Sequence, residues 1–272
     1  MTTAMHRPTP GDLLDARMSD AHADGRPAFV AYSVAGYPDR RGAVAVFRVL
    51  AERADVLEIG LPYSDPLLDG PVIQHASAQA LAAGFRTDDL LATVGELRDA
   101  PAARMVMSYW NPVLAYGPKR FADRLAAAGG SGVILPDLPI EEAEMWLSAA
   151  QSAGLSTVFV VAPTSSDTRL ARICAAADGF VYAPGSAGVT GLRGGLSGGL
   201  PAFVGRLRSI TALPIAVGIG VSDPAQAAVA GSLADGVIVG SAFLRLLGKQ
   251  SGTAGVQAVS GLAAEFDAAL RS

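Results

Sequence analysis

Short runs rich in valine and isoleucine recur along the chain, each followed by a segment with helical spacing, and this alternation leaves few folds open. The runs fall at 28–34, 56–59, 105–109, 133–135, 157–161, 179–183, 214–217 and 235–239. They are continuously apolar rather than alternating, which is the pattern of strands buried on both faces in a parallel sheet. Eight strand-helix units are the number that closes a (β/α)8 barrel, so the sequence predicts an α/β TIM barrel with an extra N-terminal helix over 12–23. An open doubly wound sheet is the alternative. It calls for a glycine-rich fingerprint after the first strand, and Ala35-Gly36-Tyr37-Pro38 lacks that form. No linker divides the 272 residues, so one barrel domain is expected over 1–272, with 1–10 as a flexible N-terminus.

Charge and composition narrow the function. The net charge is only −4 and no run of lysine or arginine offers an electrostatic footprint for nucleic acid or anionic lipid. No stretch has the apolar length of a membrane span, and the first residues lack the apolar segment of a secretory signal, which predicts a cytoplasmic protein. Cys174 is the single cysteine, so no intrachain disulfide can form; its place on a helix face predicts a packed, inert thiol.

The stretch 56–71 carries two carboxylates in an apolar frame. Glu58 interrupts a buried strand just before Gly60, and a carboxylate removed from water there needs a partner or a task. A structural ion pair is the plain reading and a catalytic acid the sharper one. Pro62, Pro66 and Pro71 stiffen the loop that follows, so that it can hold Asp69 in place; Asp65 reads first as a turn former. At the opposite side of a barrel mouth, Gly191, Gly218, Gly220 and the pair Gly240 and Ser241 follow strands six, seven and eight. Glycines there let backbone amides approach an anion, and the three strand ends together predict phosphate binding. Tyr32, Tyr109 and Tyr182 are expected at strand ends, where they would give a partly aromatic cavity suited to a flat ligand. The glycine-rich segment 184–200 reads as a mobile lid over it.

Absences narrow the reaction. Lys119 and Lys249 fall on helices away from the mouth, which leaves no Schiff-base nucleophile, and His6, His22 and His75 are scattered, so no catalytic metal is expected. What remains is proton transfer by carboxylates on a phosphorylated substrate.

These motifs, in this order, resemble the alpha subunits of tryptophan synthase. The resemblance spans nearly the whole chain and rests on Leu57-Glu58-Ile59-Gly60-Leu61-Pro62-Tyr63-Ser64-Asp65-Pro66-Leu67-Leu68-Asp69-Gly70-Pro71, Pro136-Asp137-Leu138-Pro139, Gly188-Val189-Thr190-Gly191, Gly218-Ile219-Gly220 and Gly240-Ser241. It implies retro-aldol cleavage of indole-3-glycerol phosphate to indole and glyceraldehyde 3-phosphate, with no cofactor. Glu58 would be the general acid and base, and Asp69 would bind the indole N–H. Tyr182 would pack beside the substrate near Glu58. Thr190 would pair with Asp69 on loop closure; Gly191, Gly220, Gly240 and Ser241 would hold the phosphate, with Gly218 beside them supporting the turn. Asp65 and the loop at Pro139 would face a beta subunit that uses pyridoxal phosphate, in an alpha2beta2 complex. Three other readings stay open: a stand-alone lyase that releases free indole; a non-catalytic phosphate-binding regulator, which the joint presence of Glu58 and Asp69 disfavours; and another phosphate-binding barrel with a different substrate, for which the absent lysine and histidine groups discriminate.

Overall fold

Eight parallel strands form one sheet in the computed structural model, which describes residues 9–185, 197–218, 220–250 and 252–272. The strands are β1 (Ala28–Val34), β2 (Val56–Gly60), β3 (Ala103–Met107), β4 (Gly132–Ile134), β5 (Ser156–Val158), β6 (Val181–Pro184), β7 (Ile215–Gly218) and β8 (Gly236–Val239). Their order is β5-β4-β3-β2-β1-β8-β7-β6. A bridge between Val160 and Tyr182, with Val161 N–H donating to the Tyr182 carbonyl at 2.9 Å, joins β5 to β6 and closes the ring. The expected barrel is the observed one.

Helices between the strands start and stop where local chemistry dictates. Asp39 accepts the Gly42 amide at 2.8 Å and Asp223 the Gln226 amide at 2.9 Å, each satisfying an orphan donor at a helix start. Gly129 and Gly154 end their helices in the left-handed conformation, at φ of 93° and 67°. At Thr87–Glu96 the cap comes from inside: the Asp89 carboxylate accepts the Arg86 amide at 2.8 Å, so the helix begins after Arg86 and Thr87 is not its cap.

The extra helix Asp12–Ala23 seals the amino-terminal end of the barrel. Its Leu14 and Met18 are buried. A Cβ at Gly236 in β8 would stand 3.5 Å from the Met18 Cε, and one at Gly179 would collide with Leu14. Of the expected tail 1–10, residues 1–8 lie outside the described residues, and the Thr9 amide donates to the Asp12 carboxylate at 2.6 Å. In the glycine-rich segment 184–200, residues 186–196 likewise lie outside the described residues.

One boundary that differs from the sequence reading bears on the site. β3 ends at Met107 rather than Tyr109, and a helix, Trp110–Tyr116, follows at once. Pro112 sits in its first turn, where the missing amide hydrogen is not needed, and Asp137 accepts the Trp110 amide at 2.8 Å. Tyr109 is therefore the residue before a helix, not the end of a strand.

Two ion pairs fasten the amino-terminal ends of the strands. Asp55 takes both Arg26 guanidinium nitrogens at 2.7 and 2.8 Å and also the Phe29 amide at 2.8 Å. Asp235 does the same for Arg208, at 2.9 Å twice, and for the Ile215 amide at 2.8 Å. The first pair is nearly dry, with side chains 9% and 11% exposed. Truncating one partner of such a pair leaves a buried charge and an unmet amide, so Asp55→Ala is expected to lower the unfolding free energy by about 3 kcal/mol. Chemical denaturation checks this, and a loss below about 1 kcal/mol would contradict the assigned role.

Candidate active site

A cavity of about 590 Å3, its open mouth included, sits at the carboxyl ends of the strands. Tyr32 and Glu58 are register partners on β1 and β2 and both face it. A Cβ on Gly60 would come within 2.6 Å of the Tyr32 hydroxyl, one on Gly240 within 2.6 Å of the Tyr32 ring, and one on Gly218 would strike the Tyr182 hydroxyl. The glycines at these strand ends thus make room for two tyrosine rings.

Glu58 and Asp69 both line the cavity and are only 4% and 7% exposed. Among the described residues, Oε2 of Glu58 has no hydrogen-bond partner. Burial, and then the neighbouring Asp69 charge, raise the Glu58 carboxyl to about 8. Burial raises Asp69 to about 6, against a hydrogen bond from Tyr109 that favours the carboxylate. No cation enters either balance. At pH 7 the cavity therefore pairs a mainly protonated Glu58 with a mainly ionised Asp69, an acid and an anion made from two carboxyls by environment alone. Tyr32 and Tyr182 stay neutral, their hydroxyls pushed up by burial first.

The structure brings Tyr32, Glu58, Asp69, Tyr182, Gly220, Gly240 and Ser241 to this one cavity. Two expected residues stand behind it. The Tyr109 hydroxyl accepts the Leu68 amide at 3.1 Å and hydrogen-bonds the Asp69 carboxyl, so Tyr109 holds the loop rather than lining the wall. Gly218 gives its space to Tyr182 and accepts the Gly185 amide at 2.5 Å through its carbonyl; it is not part of the wall. Gly220 has φ of 110°, which side chains rarely adopt, and it does line the wall. Thr190 and Gly191 lie outside the described residues. Asp65 is exposed and accepts from the Ser64 hydroxyl at 2.6 Å, beside Leu67, which is 69% exposed; Pro139 is exposed on the loop after β4.

Ile73, Met107, Ile134, Val160, Val221 and Ile238 make the apolar wall. Met107 and Ile134 were legible as strand-end residues once β3 and β4 are ended one or two positions earlier. The Tyr109 contact has a testable consequence. Tyr109→Phe removes the hydrogen bond that favours ionised Asp69, so the Asp69 titration moves up from about 6. Carbonyl-labelled NMR of the folded chain reads the shift, and an unmoved or lowered value would contradict the contact's role.

Comparison with known proteins agrees over nearly the whole chain. The family model of the tryptophan synthase alpha chain matches residues 18–271. The tryptophan synthase alpha chain of Streptomyces avermitilis is 48% identical over 264 residues, covering 96% of this chain and 95% of that protein. That of Thermobifida fusca is 49% identical, covering 96% and 98%. Among solved structures, tryptophan synthase of Mycobacterium tuberculosis superposes with a TM-score of 0.89 at 43% identity, covering 95% of this chain and 98% of the other. The chain belongs to the tryptophan synthase alpha chain family.

Proposed function

We propose that this chain cleaves indole-3-glycerol phosphate to indole and glyceraldehyde 3-phosphate, as the alpha subunit of tryptophan synthase in L-tryptophan biosynthesis. Family membership supports the reaction. The observation that carries the mechanism is the pair of buried carboxyls in one cavity, with Glu58 raised to about 8 and Asp69 to about 6.

The indole ring lies against the apolar wall and Tyr182, with its N–H toward Asp69 and its side chain toward Gly220, Gly240 and Ser241. Glu58 gives its proton to C3 of the ring. Positive charge develops toward the ring nitrogen, and the Asp69 carboxylate, accepting the N–H, stabilises it. The Glu58 carboxylate then takes the proton of the hydroxyl on the side-chain carbon bonded to C3. That carbon–carbon bond breaks, its electron pair returns to the ring, and the aldehyde forms. One proton is given and one received, so Glu58 ends as it began. Amides at Gly220, Gly240 and Ser241 bind the phosphate and fix the register of the ring over the two acids. Tyr109 holds Asp69 from behind. Among the described residues no group of His, Cys, Asp and Glu is arranged to hold a metal.

A beta subunit would seat on the mouth, against the loop bearing Asp65 and Leu67 and the loop at Pro139, in an alpha2beta2 complex. The exposed Leu67 supports that face. The proposed role in amino-acid biosynthesis goes with a single barrel domain working in the cytoplasm. No helix among the described residues is long and apolar enough to cross a membrane.

Glu58→Gln keeps the shape and removes the exchangeable proton; indole release is expected to fall by at least about a hundredfold. The unaltered chain needs Glu58 protonated and Asp69 ionised, so kcat/KM should fall below about 6 and above about 8. Initial rates of indole formation from indole-3-glycerol phosphate, taken across pH with and without a beta chain, check both. Retention of most activity in Glu58→Gln would overturn the assignment.

A further inference from the structure

Among the described residues no Lys, Arg or His lines the cavity, whose described ionisable wall groups are Glu58, Asp69 and two tyrosines. A phosphate brings further negative charge into that space. Backbone amides offset part of it, but they carry only partial charge. Among the described residues, the cation that touches the wall from behind is Arg245. Its Nη1 donates to the Ser241 Oγ at 3.2 Å, and it is half-buried with no carboxylate partner among the described residues. Other partly buried arginines are placed differently. Arg26 is paired with Asp55 and Arg206 with Asp167, while Arg104 is spent on the carbonyls of Gly129, Ala100 and Ala102.

The direction of the hydrogen bond decides what Arg245 does. A guanidinium has donors only, so the Ser241 oxygen must accept. That leaves the hydroxyl proton free for another acceptor, and Ser241 is a wall residue only 5% exposed. We infer that Arg245 is a positioning residue for the phosphate: it turns the Ser241 hydroxyl into a donor toward the bound anion and supplies, one hydrogen bond behind the wall, the positive charge that the wall lacks. This rests on reading the Gly220, Gly240 and Ser241 side of the cavity as the phosphate end. The hydroxyl relays the cation, so the two residues act as a unit. A lysine at 245 keeps the charge but loses the planar fork.

The test uses the full chain, inorganic phosphate as the probe, and the variants Arg245→Gln, Arg245→Lys, Ser241→Ala and the Gln–Ala double. Arg245→Gln is expected to raise the phosphate dissociation constant and the KM for indole-3-glycerol phosphate together, by roughly three- to tenfold, with the loss falling on KM rather than kcat. Arg245→Lys should recover part of it. In the Ser241→Ala background, Arg245→Gln should change phosphate binding by less than about twofold, because the relay is already cut. Arg245→Met, which retains the packing stem, replaces Arg245→Gln if that chain fails to melt cooperatively. Equal phosphate binding by the unaltered and Arg245→Gln chains would overturn this inference alone. So would an undiminished effect without the Ser241 hydroxyl, or a loss confined to kcat. If the unaltered chain binds no phosphate, the reading of the cavity falls and this inference with it.

Discussion

Glu58 and Asp69 sit in the same low-polarity space, and among the described residues no cation is placed where it could neutralise either. Each ionisation therefore works against burial, and Glu58 also feels the charge of Asp69. The folded chain accommodates the pair by keeping a proton. Both folded values, about 8 and about 6, lie above the ordinary 4.5 and 3.8. Between those limits the folded state binds more protons than the unfolded one, so the two acids contribute a loss of stability as pH rises through that window. The strain is retained because the rest of the barrel holds the pair in place, and it is what makes one of them an acid at neutral pH.

The barrel separates stability from chemistry by its two ends. At the amino-terminal end the acids are saturated: Asp55 and Asp235 each take an arginine fork and a strand amide. The helix Asp12–Ala23 packs Leu14 and Met18 beneath them. At the other end the acids are left short, with an oxygen of Glu58 unpartnered among the described residues. Glycines replace side chains there so that Tyr32 and Tyr182 fit, and the space left over is the cavity. The same residue types thus do opposite work according to which ends of the strands they occupy.

Much of this is legible in the amino-acid sequence. Eight apolar runs alternating with helical segments imply the ring, and a glutamate inside one of them marks itself by its misplacement in an apolar strand. Three strand ends rich in glycine point to one side of the mouth. What the sequence hid was direction and reach. Tyr109 reads as a strand-end liner, yet the strand stops at Met107 because a helix begins at Trp110, and the ring turns to hold Asp69 instead. Gly218 reads as an anion-binding turn, but its missing side chain is filled by the Tyr182 hydroxyl, a contact between β6 and β7 that no local pattern announces. Arg245 lies one helical turn beyond Ser241, and spacing alone cannot say whether such a side chain folds back toward the wall or out to water.

The central claim is that burial keeps Glu58 protonated near neutrality. Infrared difference spectroscopy of the unliganded chain, taken across pH against Glu58→Gln, observes that proton directly through the carboxylic acid carbonyl band. The account predicts a protonated band present at pH 7, lost with a midpoint near 8 and absent from the variant. An ionised Glu58 already at pH 6 would contradict it.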